Sequence, residues 1–448
     1  MKAPLYEALC ALAEKQGLRM HMPGHKGKSD SPLFSVNAID YTEIPPTGNL
    51  YTGDGPIAQA EALAAACWGA EAAYFLTSGS TQGIKAGLSL VARPGDEILL
   101  DRNTHKAFFN GCAMLDLHPS YLYEPTAEKV EAALRENEKL RAVCITSPTY
   151  YGVVLDVEGI AQVCRAHGVK FLVDEAHGAH FPFVGMGCCA AGRGAHVSVS
   201  SAHKTLPAMG SSALLFTDGS FDPATVRERT AMFGTSSPSY AIMASIDYAR
   251  ANLEGAGGDA YRAAAERTAQ LRREINARGV FHALCPEDGL TLDPTRLTVT
   301  TSVGGLAGDR AAEILQEKFE IWPEMDNRDC VVCIITGSDT AADLDRLAAG
   351  FLALETYADG EKRRDVCPPP PKMEQCTSIR RAVFSSCVKQ RLCDTRGRIS
   401  AVSIAPYPPG VPVVAPGERI SAESLRYLET IGYDQTEEIS VLKEGSSK

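Results

Sequence analysis

Apolar and polar residues alternate regularly over residues 57–217, where short apolar runs take turns with amphipathic segments. We interpret as strands the runs 72–76, 97–100, 121–123, 142–146, 170–173, 211–216 and the run that ends at Ser201. Helical patterns separate most of them, including one that begins after Asp156 and carries Val157, Ile160 and Cys164 on one face. This alternation predicts a mainly parallel α/β sheet with helices on both faces.

Beyond residue 250 the pattern predicts a second, smaller α/β unit. Its predicted elements are strands 296–301 and 331–336 and helices 259–278, 309–319 and 341–354. A proline run at 368–371 predicts a stiff linker, and the proline-rich stretch 406–418 predicts an extended loop. We therefore expect four parts: an N-terminal arm (1–56), a large domain (57–250), a small α/β domain (251–366) and a C-terminal domain (367–448). The arm is expected to contain a helix over residues 3–16.

Polar clusters follow several predicted strands of the large domain. They are TSGST at 77–81, RNTH at 102–105, DEAH at 174–177 and SAHK at 201–204. The carboxyl ends of parallel strands lie along one edge of a sheet, where ligands of α/β proteins bind. The sequence therefore predicts one binding site built from separate segments.

Lys204 follows an apolar strand and is flanked by hydroxyl groups and an imidazole, an unusual setting for a surface lysine. Our hypothesis is that Lys204 binds pyridoxal 5'-phosphate (PLP) as a Schiff base. Asp174 at another strand tip would hold a proton on the pyridine nitrogen. A salt bridge from Asp174 to an arginine is an equal alternative, and a metal site of Asp174, His177 and His180 is a weaker one.

A phosphate group needs backbone N–H donors, hydroxyl groups and a positive field. Gly79, Ser80 and Thr81 at a helix start supply these, although an ordinary strand–helix turn would have the same sequence. Ser201 and His203 make a shared anion site the better interpretation. His105 could stack on a planar ring, but a single histidine at a strand end is more often structural.

The composition excludes several classes of function. A net charge of −11 and a pI of about 5.5 argue against nucleic acid as the main ligand. The 14 scattered cysteines and a start without a signal peptide favour free thiols in the cytoplasm. Cys330 and Cys333 have zinc-like spacing but lie in an apolar run, so we expect buried thiols and no metal. No apolar window is long enough to predict a membrane span.

A set of ordered motifs carries a family resemblance. The motifs are TSGSTQG, DRNTHKAFFNG, SPTYYGVVLD, VDEAHGAH and SSAHKTLP, with HMPGHKG near the start and PYPPGVPVVAPGE near the end. Together they resemble the PLP-dependent ornithine/lysine/arginine decarboxylases of the PLP-dependent transferase fold type I. The resemblance implies a large PLP-binding domain, a small domain, a C-terminal domain and active sites at a homodimer interface.

The same resemblance implies roles for individual residues. Lys204 matches the Schiff-base lysine, Asp174 the partner of the pyridine nitrogen and His105 the ring-stacking histidine. The phosphate-binding residues would be Gly79, Ser80, Thr81, Ser201 and His203. His177 falls beside the phenolic oxygen of the cofactor, and Glu418 in the PGE motif is a candidate for substrate contact.

The chain also departs from the family pattern. It is similar to short-form members without the N-terminal wing domain, and its GNLYTGDGP stretch at 48–56 differs from the LDDLHxPxGP pattern. The resemblance implies decarboxylation of a basic L-amino acid, with arginine preferred (giving agmatine and CO2) over lysine or ornithine. Other fold type I reactions, namely transamination or aldol-type cleavage, and a non-catalytic regulatory homologue are the alternatives.

Overall fold

The computed structural model describes residues 17–20, 41–43, 47–360, 370–406 and 410–443. The helix predicted over residues 3–16 and the HMPGHKG motif at 21–27 lie outside the described residues. Within the described ranges, no helix combines the length and apolar character needed to cross a membrane.

The strands and helices follow in chain order. The strands are β1 (Leu18–Met20), β2 (Ala72–Leu76), β3 (Glu97–Asp101), β4 (His118–Leu122), β5 (Leu140–Thr146), β6 (Lys170–Asp174), β7 (Val197–Ser200), β8 (Ala213–Thr217), β9 (His282–Ala283), β10 (Arg296–Thr300), β11 (Ile321–Pro323), β12 (Met325–Asp326), β13 (Cys330–Ile334), β14 (Cys387–Arg391) and β15 (Glu438–Leu442). The α-helices are α1 (Gly55–Trp68), α2 (Gly79–Val91), α3 (Lys106–Leu115), α4 (Ala127–Glu136), α5 (Val157–Ala166), α6 (Ala202–Thr205), α7 (Pro223–Met232), α8 (Tyr240–Leu253), α9 (Ala256–Arg278), α10 (Gly308–Phe319), α11 (Ala341–Leu354), α12 (Ile379–Phe384) and α13 (Ala422–Thr430).

A seven-stranded sheet in the order β2-β8-β7-β6-β5-β3-β4 forms the centre of the protein. Only β8 is antiparallel to its neighbours, β7 and β2; the other adjacent strands pair in parallel. The register sets Thr146 beside Asp174 and Asp174 beside Val199, so the carboxyl ends of β5, β6 and β7 lie level. The predicted mainly parallel sheet is thereby confirmed.

Strand β6 shows how helices cover both faces of this sheet. Successive side chains of a strand point to opposite faces. Leu172 packs in the cluster that holds Ile84 of α2, whereas Phe171 and Val173 pack in the cluster that holds Ile160 of α5. All three β6 residues are fully buried, which explains why this strand is a continuous apolar run in the sequence.

Residues 222–250, the last part of the expected large domain, fold for the most part into α7 and α8. Val226 of α7 joins the core cluster of α2, and Ile246 of α8 packs with Trp68 of α1. Both helices therefore belong by packing with the large sheet.

A second sheet, in the antiparallel order β12-β13-β10-β9, packs with α9, α10 and α11. Strand β1 pairs in parallel with β11, and Leu18 and Met20 enter the same core. Cys330 and Cys333 are buried on β13.

The C-terminal segment forms a β14–β15 pair with α12 and α13 and has its own small apolar cluster. It also packs against the large sheet, because Ile379 of α12 and Ala415 are part of the core cluster that contains α2 and α3. Residues 410–418 contain no helix or strand, as the prolines predicted.

Candidate active site

Loops at the carboxyl edge of the large sheet are joined through the start of β8. The Gly79 N–H donates to the Ser211 carbonyl over 2.8 Å, and Nδ1 of His203 lies 2.9 Å from the Ser212 carbonyl oxygen. The neighbouring residues Ser211 and Ser212 therefore hold the TSGST and SAHK loops side by side.

This pair of loops fits a phosphate group. Gly79 has φ +72°, a conformation that favours glycine, and beyond its chain neighbours and its own helix no atom of the described residues lies within 4 Å of where its Cβ would be. The Ser201 hydroxyl is buried and has no hydrogen-bond partner among the described residues. Ser80 and Thr81 contribute first-turn N–H groups of α2, which lack acceptors within the helix. The Gly79 N–H itself is already occupied by Ser211.

Lys204 lies on α6, a single helical turn directly after β7. Its Nζ is 3.0 Å from Nε2 of His177, whose Nδ1 is in turn 3.0 Å from Nη2 of Arg296. Burial lowers the pKa of Lys204, although the nearby charges of Asp174 and Glu324 oppose this shift. Burial also lowers the pKa of His177, and the charges of Lys204 and Arg296 lower it further.

Asp174 is the buried last residue of β6, and one of its carboxylate oxygens accepts the Ala176 N–H over 3.1 Å. Burial raises its pKa to about 6, with a smaller opposing effect from Lys204. Asp174 forms no salt bridge with an arginine in the part of the chain that the structure describes. A buried carboxylate of this kind fits a partner that carries a proton, such as a pyridine nitrogen.

His105 is the N-cap residue of α3, where its Nδ1 accepts the Ala107 N–H over 3.2 Å. Burial lowers its pKa to about 4, and the charges of Lys204 and Lys106 act in the same direction. His105 is therefore an uncharged, oriented ring within electrostatic reach of Lys204, which suits stacking on a planar cofactor.

The three residues considered as metal ligands do not converge. Both ring nitrogens of His177 face Lys204 and Arg296, while Nε2 of His180 lies 2.9 Å from a carboxylate oxygen of Asp293. Among the described residues, the one group able to bring three ligand atoms together is elsewhere, at His282, Cys285 and Asp288.

The structure adds residues that the sequence analysis did not assign to the site. Arg296 comes from β10, and Tyr150 contacts His177 edge-on at 4.6 Å between ring centroids. The Tyr150 hydroxyl donates to Glu324, a buried carboxylate between β11 and β12. The one feature of the sequence that could have pointed to Arg296 is that a charged residue begins the apolar strand RLTVT. No feature of the sequence pointed to Glu324.

Glu418 is not brought together with Lys204. Its carboxylate accepts hydrogen bonds from Arg102 over 3.1 Å and from the Ala415 N–H over 2.6 Å. Arg102 also donates to the carbonyls of Pro412 and Val413 over 2.5 Å and 2.9 Å. The contacts of Glu418 thus make it an anchor that fastens the C-terminal segment to the end of β3.

Comparisons with known proteins agree with this arrangement. The family model described as "Orn/Lys/Arg decarboxylase, major domain" matches residues 3–287, and the one described as "Orn/Lys/Arg decarboxylase, C-terminal domain" matches residues 363–436. The chain is 31% identical over 464 residues to the arginine decarboxylase of Bacillus subtilis (strain 168), covering 95% of this chain and 93% of the relative. It is 24% identical over 550 residues to the constitutive lysine decarboxylase of Escherichia coli (strain K12), covering 95% and 76%.

Solved structures show the same fold. The E. coli constitutive lysine decarboxylase has a TM-score of 0.75 at 21% identity, covering 99% of this chain and 82% of that chain. A variant of SPT with PLP has a TM-score of 0.59 at 15% identity, covering 76% of this chain and 88% of that chain. These likenesses confirm the predicted fold type I architecture.

We predict that Asp174→Asn stabilises the cofactor-free protein above about pH 6. Burial raises the pKa of Asp174 to about 6, against about 4 in the unfolded chain. The stability contributed by the protonated carboxyl is therefore present below about pH 4 and is lost as the pH rises through about 6. An asparagine amide avoids this loss, so above about pH 6 the variant should have a free energy of unfolding higher than that of the parent by about 1–3 kcal/mol.

Urea denaturation of both proteins at about pH 5 and about pH 8 measures this gain. The exposed Asp345, exchanged for asparagine, is the control and should show no comparable pH dependence. Equal stability of Asp174→Asn and the parent protein at both pH values would show that the Asp174 carboxylate is not strained by burial.

We predict that Glu418→Gln loosens the C-terminal segment. The amide leaves the buried Arg102 without a counter-charge, a change that costs about 3–5 kcal/mol in buried ion pairs. Limited proteolysis should release a C-terminal fragment faster than in the parent protein. Glu423→Gln, on the exposed face of α13, is the matched control; the same cleavage rate in both variants would mean that the ion pair anchors nothing.

Proposed function

This chain belongs to the Orn/Lys/Arg decarboxylase family, and we propose that it decarboxylates L-arginine to agmatine and CO2. The family consists of PLP-dependent decarboxylases of basic amino acids, and PLP is the cofactor. The observation that carries the proposal is the convergence of Lys204, Asp174 and His105 with the TSGST and SAHK loops at one edge of the sheet.

When bound, PLP supplies an electron-withdrawing ring that accepts the electron pair of the breaking bond between Cα and the carboxylate. Ser80, Thr81, Ser201 and His203 would hold its phosphate. Ser201 has a free buried hydroxyl for this purpose, and His203 keeps Nε2 available because Nδ1 is occupied by Ser212.

Asp174 and His105 would fix the ring and its charge. The Asp174 carboxylate holds a proton on the ring nitrogen, an ion pair that also relieves the cost of burying the carboxylate. His105 stays uncharged near neutral pH because its pKa lies at about 4. It can therefore stack without repelling a protonated ring.

Lys204 would exchange the cofactor between itself and the amino group of the substrate. This role needs a neutral amine, which burial favours by lowering the pKa of Lys204. A proton must then replace the departed carboxylate at Cα. We propose that Lys204 and His177, which are in contact with each other, hold that proton.

The preference for arginine rests on the names of the relatives, on their sequence identity to this chain and on the share of their length that this chain covers. Relatives named arginine decarboxylase are 29–31% identical and are covered over 92–98% of their length. Those named lysine decarboxylase are 23–24% identical and are covered over 76%. Lysine and ornithine remain the alternative substrates.

We further propose a cytoplasmic homodimer with active sites at its interface. No cysteine in the described ranges forms a disulfide, which suits a reducing compartment. Sedimentation equilibrium of the holoprotein tests the assembly: twice the chain mass is expected, and a stable monomer that retains full turnover would refute the dimer.

We predict that Lys204→Ala purifies without the near-visible absorbance of lysine-bound PLP and shows no turnover, because in the part of the chain that the structure describes the amine held against His177 is that of Lys204. Absorbance spectra and CO2 release from arginine, lysine and ornithine measure both effects in the variant and the parent. Lys170→Ala, on the same sheet but with its amine near Ser220, is the control. Normal turnover of Lys204→Ala would eliminate the assignment.

The product distinguishes the remaining functions. Agmatine with one CO2 per arginine is the expected result for the parent protein. An oxo acid or an aldehyde would indicate another fold type I reaction, and a colourless, inactive parent protein would indicate a non-catalytic homologue.

A further inference from the structure

Arg296 connects the second sheet to Lys204 through a short hydrogen-bonded chain. Its Nη2 lies 3.0 Å from His177 Nδ1, and His177 Nε2 lies 3.0 Å from Lys204 Nζ. The side chain of Arg296 is 1% exposed, and His177 is 4% exposed. Solvent therefore has little access to the contact between them.

The chemistry of its neighbours determines where His177 carries its proton. A guanidinium has N–H donors and no acceptor, so Nδ1 of His177 must accept. A neutral imidazole has one N–H, which then lies on Nε2. This N–H donates to Lys204, and only the neutral amine has the lone pair to accept it.

We propose that Arg296 is a positioning residue that fixes His177 as the Nε2–H tautomer and so holds Lys204 as a neutral amine ready to bond PLP. The role rests on the proposed function, because it matters where Lys204 reacts with the PLP aldehyde. In that reaction the Nζ lone pair attacks the aldehyde carbon. Both Nζ protons leave with the aldehyde oxygen as one water molecule while the C=N bond forms.

Burial, more than the nearby charges, favours the neutral forms of Lys204 and His177. Among the described residues, the groups that interact electrostatically with Lys204 or His177 are His105, Asp174, His180, His203, Arg296 and Glu324. Asp174 and Glu324 favour the charged lysine, but burial and Arg296 outweigh them and lower its pKa. For His177, burial and its cationic neighbours all favour the neutral ring.

Arg296 is itself held in place by buried neighbours. Its backbone carbonyl accepts a hydrogen bond from Arg272 over 2.5 Å, and the same guanidinium nitrogen of Arg272 donates to the Asp293 carbonyl over 2.8 Å. Asp293 contacts His180 of the DEAHGAH loop over 2.9 Å. The segment that carries Arg296 is thus fastened to the loop that carries His177.

The rate at which PLP is captured tests the proposal without measuring turnover. Full-length protein freed of PLP is mixed with PLP over a pH series, and the near-visible absorbance is followed in parent, Arg296→Met and Arg296→Lys. Near pH 7, Arg296→Met should capture PLP about tenfold more slowly, with the apparent pKa of capture about one unit higher. Arg296→Lys keeps a cationic donor, so its profile should move back toward that of the parent.

Arg227→Met is the matched control. It removes another largely buried arginine, which pairs with Glu61 on α1 and has no contact with His177. We expect lower stability with an unchanged pH profile. A parent-like profile for Arg296→Met, or equal profiles for the Met and Lys variants, would overturn the proposal. A parent protein that captures no PLP would instead refute the proposed function.

A second measurement applies even where Arg296→Met does not fold. Nitrogen-15 spectra of the histidine-labelled, PLP-free parent protein report the protonation of each ring nitrogen, and His177→Gln identifies the relevant signals. The proposal requires a bare Nδ1 and a protonated Nε2. A proton on Nδ1 of His177 would contradict it directly.

Discussion

The burial of a lysine and a carboxylate at the same edge of one sheet is the constraint that organises this protein. Asp174 ends β6 and Lys204 follows β7, two neighbouring parallel strands with fully buried interior side chains. In this setting the charged forms are costly, so burial lowers the pKa of Lys204 and raises that of Asp174. A cofactor that bonds to the amine and offers a protonated ring nitrogen to the carboxylate removes both costs.

The second sheet completes the site from the side. Arg296 is the first residue of its strand β10, and Glu324 directly precedes its strand β12. Arg296 reaches His177 directly, and Glu324 reaches it through Tyr150. The contact between His180 and Asp293 fastens the same two regions. The state of Lys204 therefore depends on how the second sheet packs on the large sheet, which gives the small unit a chemical role.

Local patterns were enough to predict much of the large sheet. Strand 72–76 has the predicted bounds, and Asp156 caps α5 by accepting the Gly159 N–H over 2.9 Å, as predicted. Both predictions succeeded because these features depend on residues close in sequence. The clustering of polar residues at strand ends followed from the parallel topology. The individual roles of those residues remain proposals.

Contacts between distant residues could not be predicted in this way. Arg296 meets a histidine 119 residues away, and Glu418 pairs with Arg102 across 316 residues. Nothing in the PGE motif distinguishes a substrate contact from an anchor. Helices α7 and α8 had no counterpart among the predicted elements; Val226 and Ile246 join them to core clusters whose other members are distant in the sequence.

The most direct test of the central claim is to locate the cofactor on the chain. Borohydride reduction of the holoprotein makes the bond between PLP and its lysine permanent, and peptide mass mapping then finds the modified residue. The account predicts a phosphopyridoxyl group on the peptide containing Lys204. A modification on another lysine, or none in active protein, would contradict it.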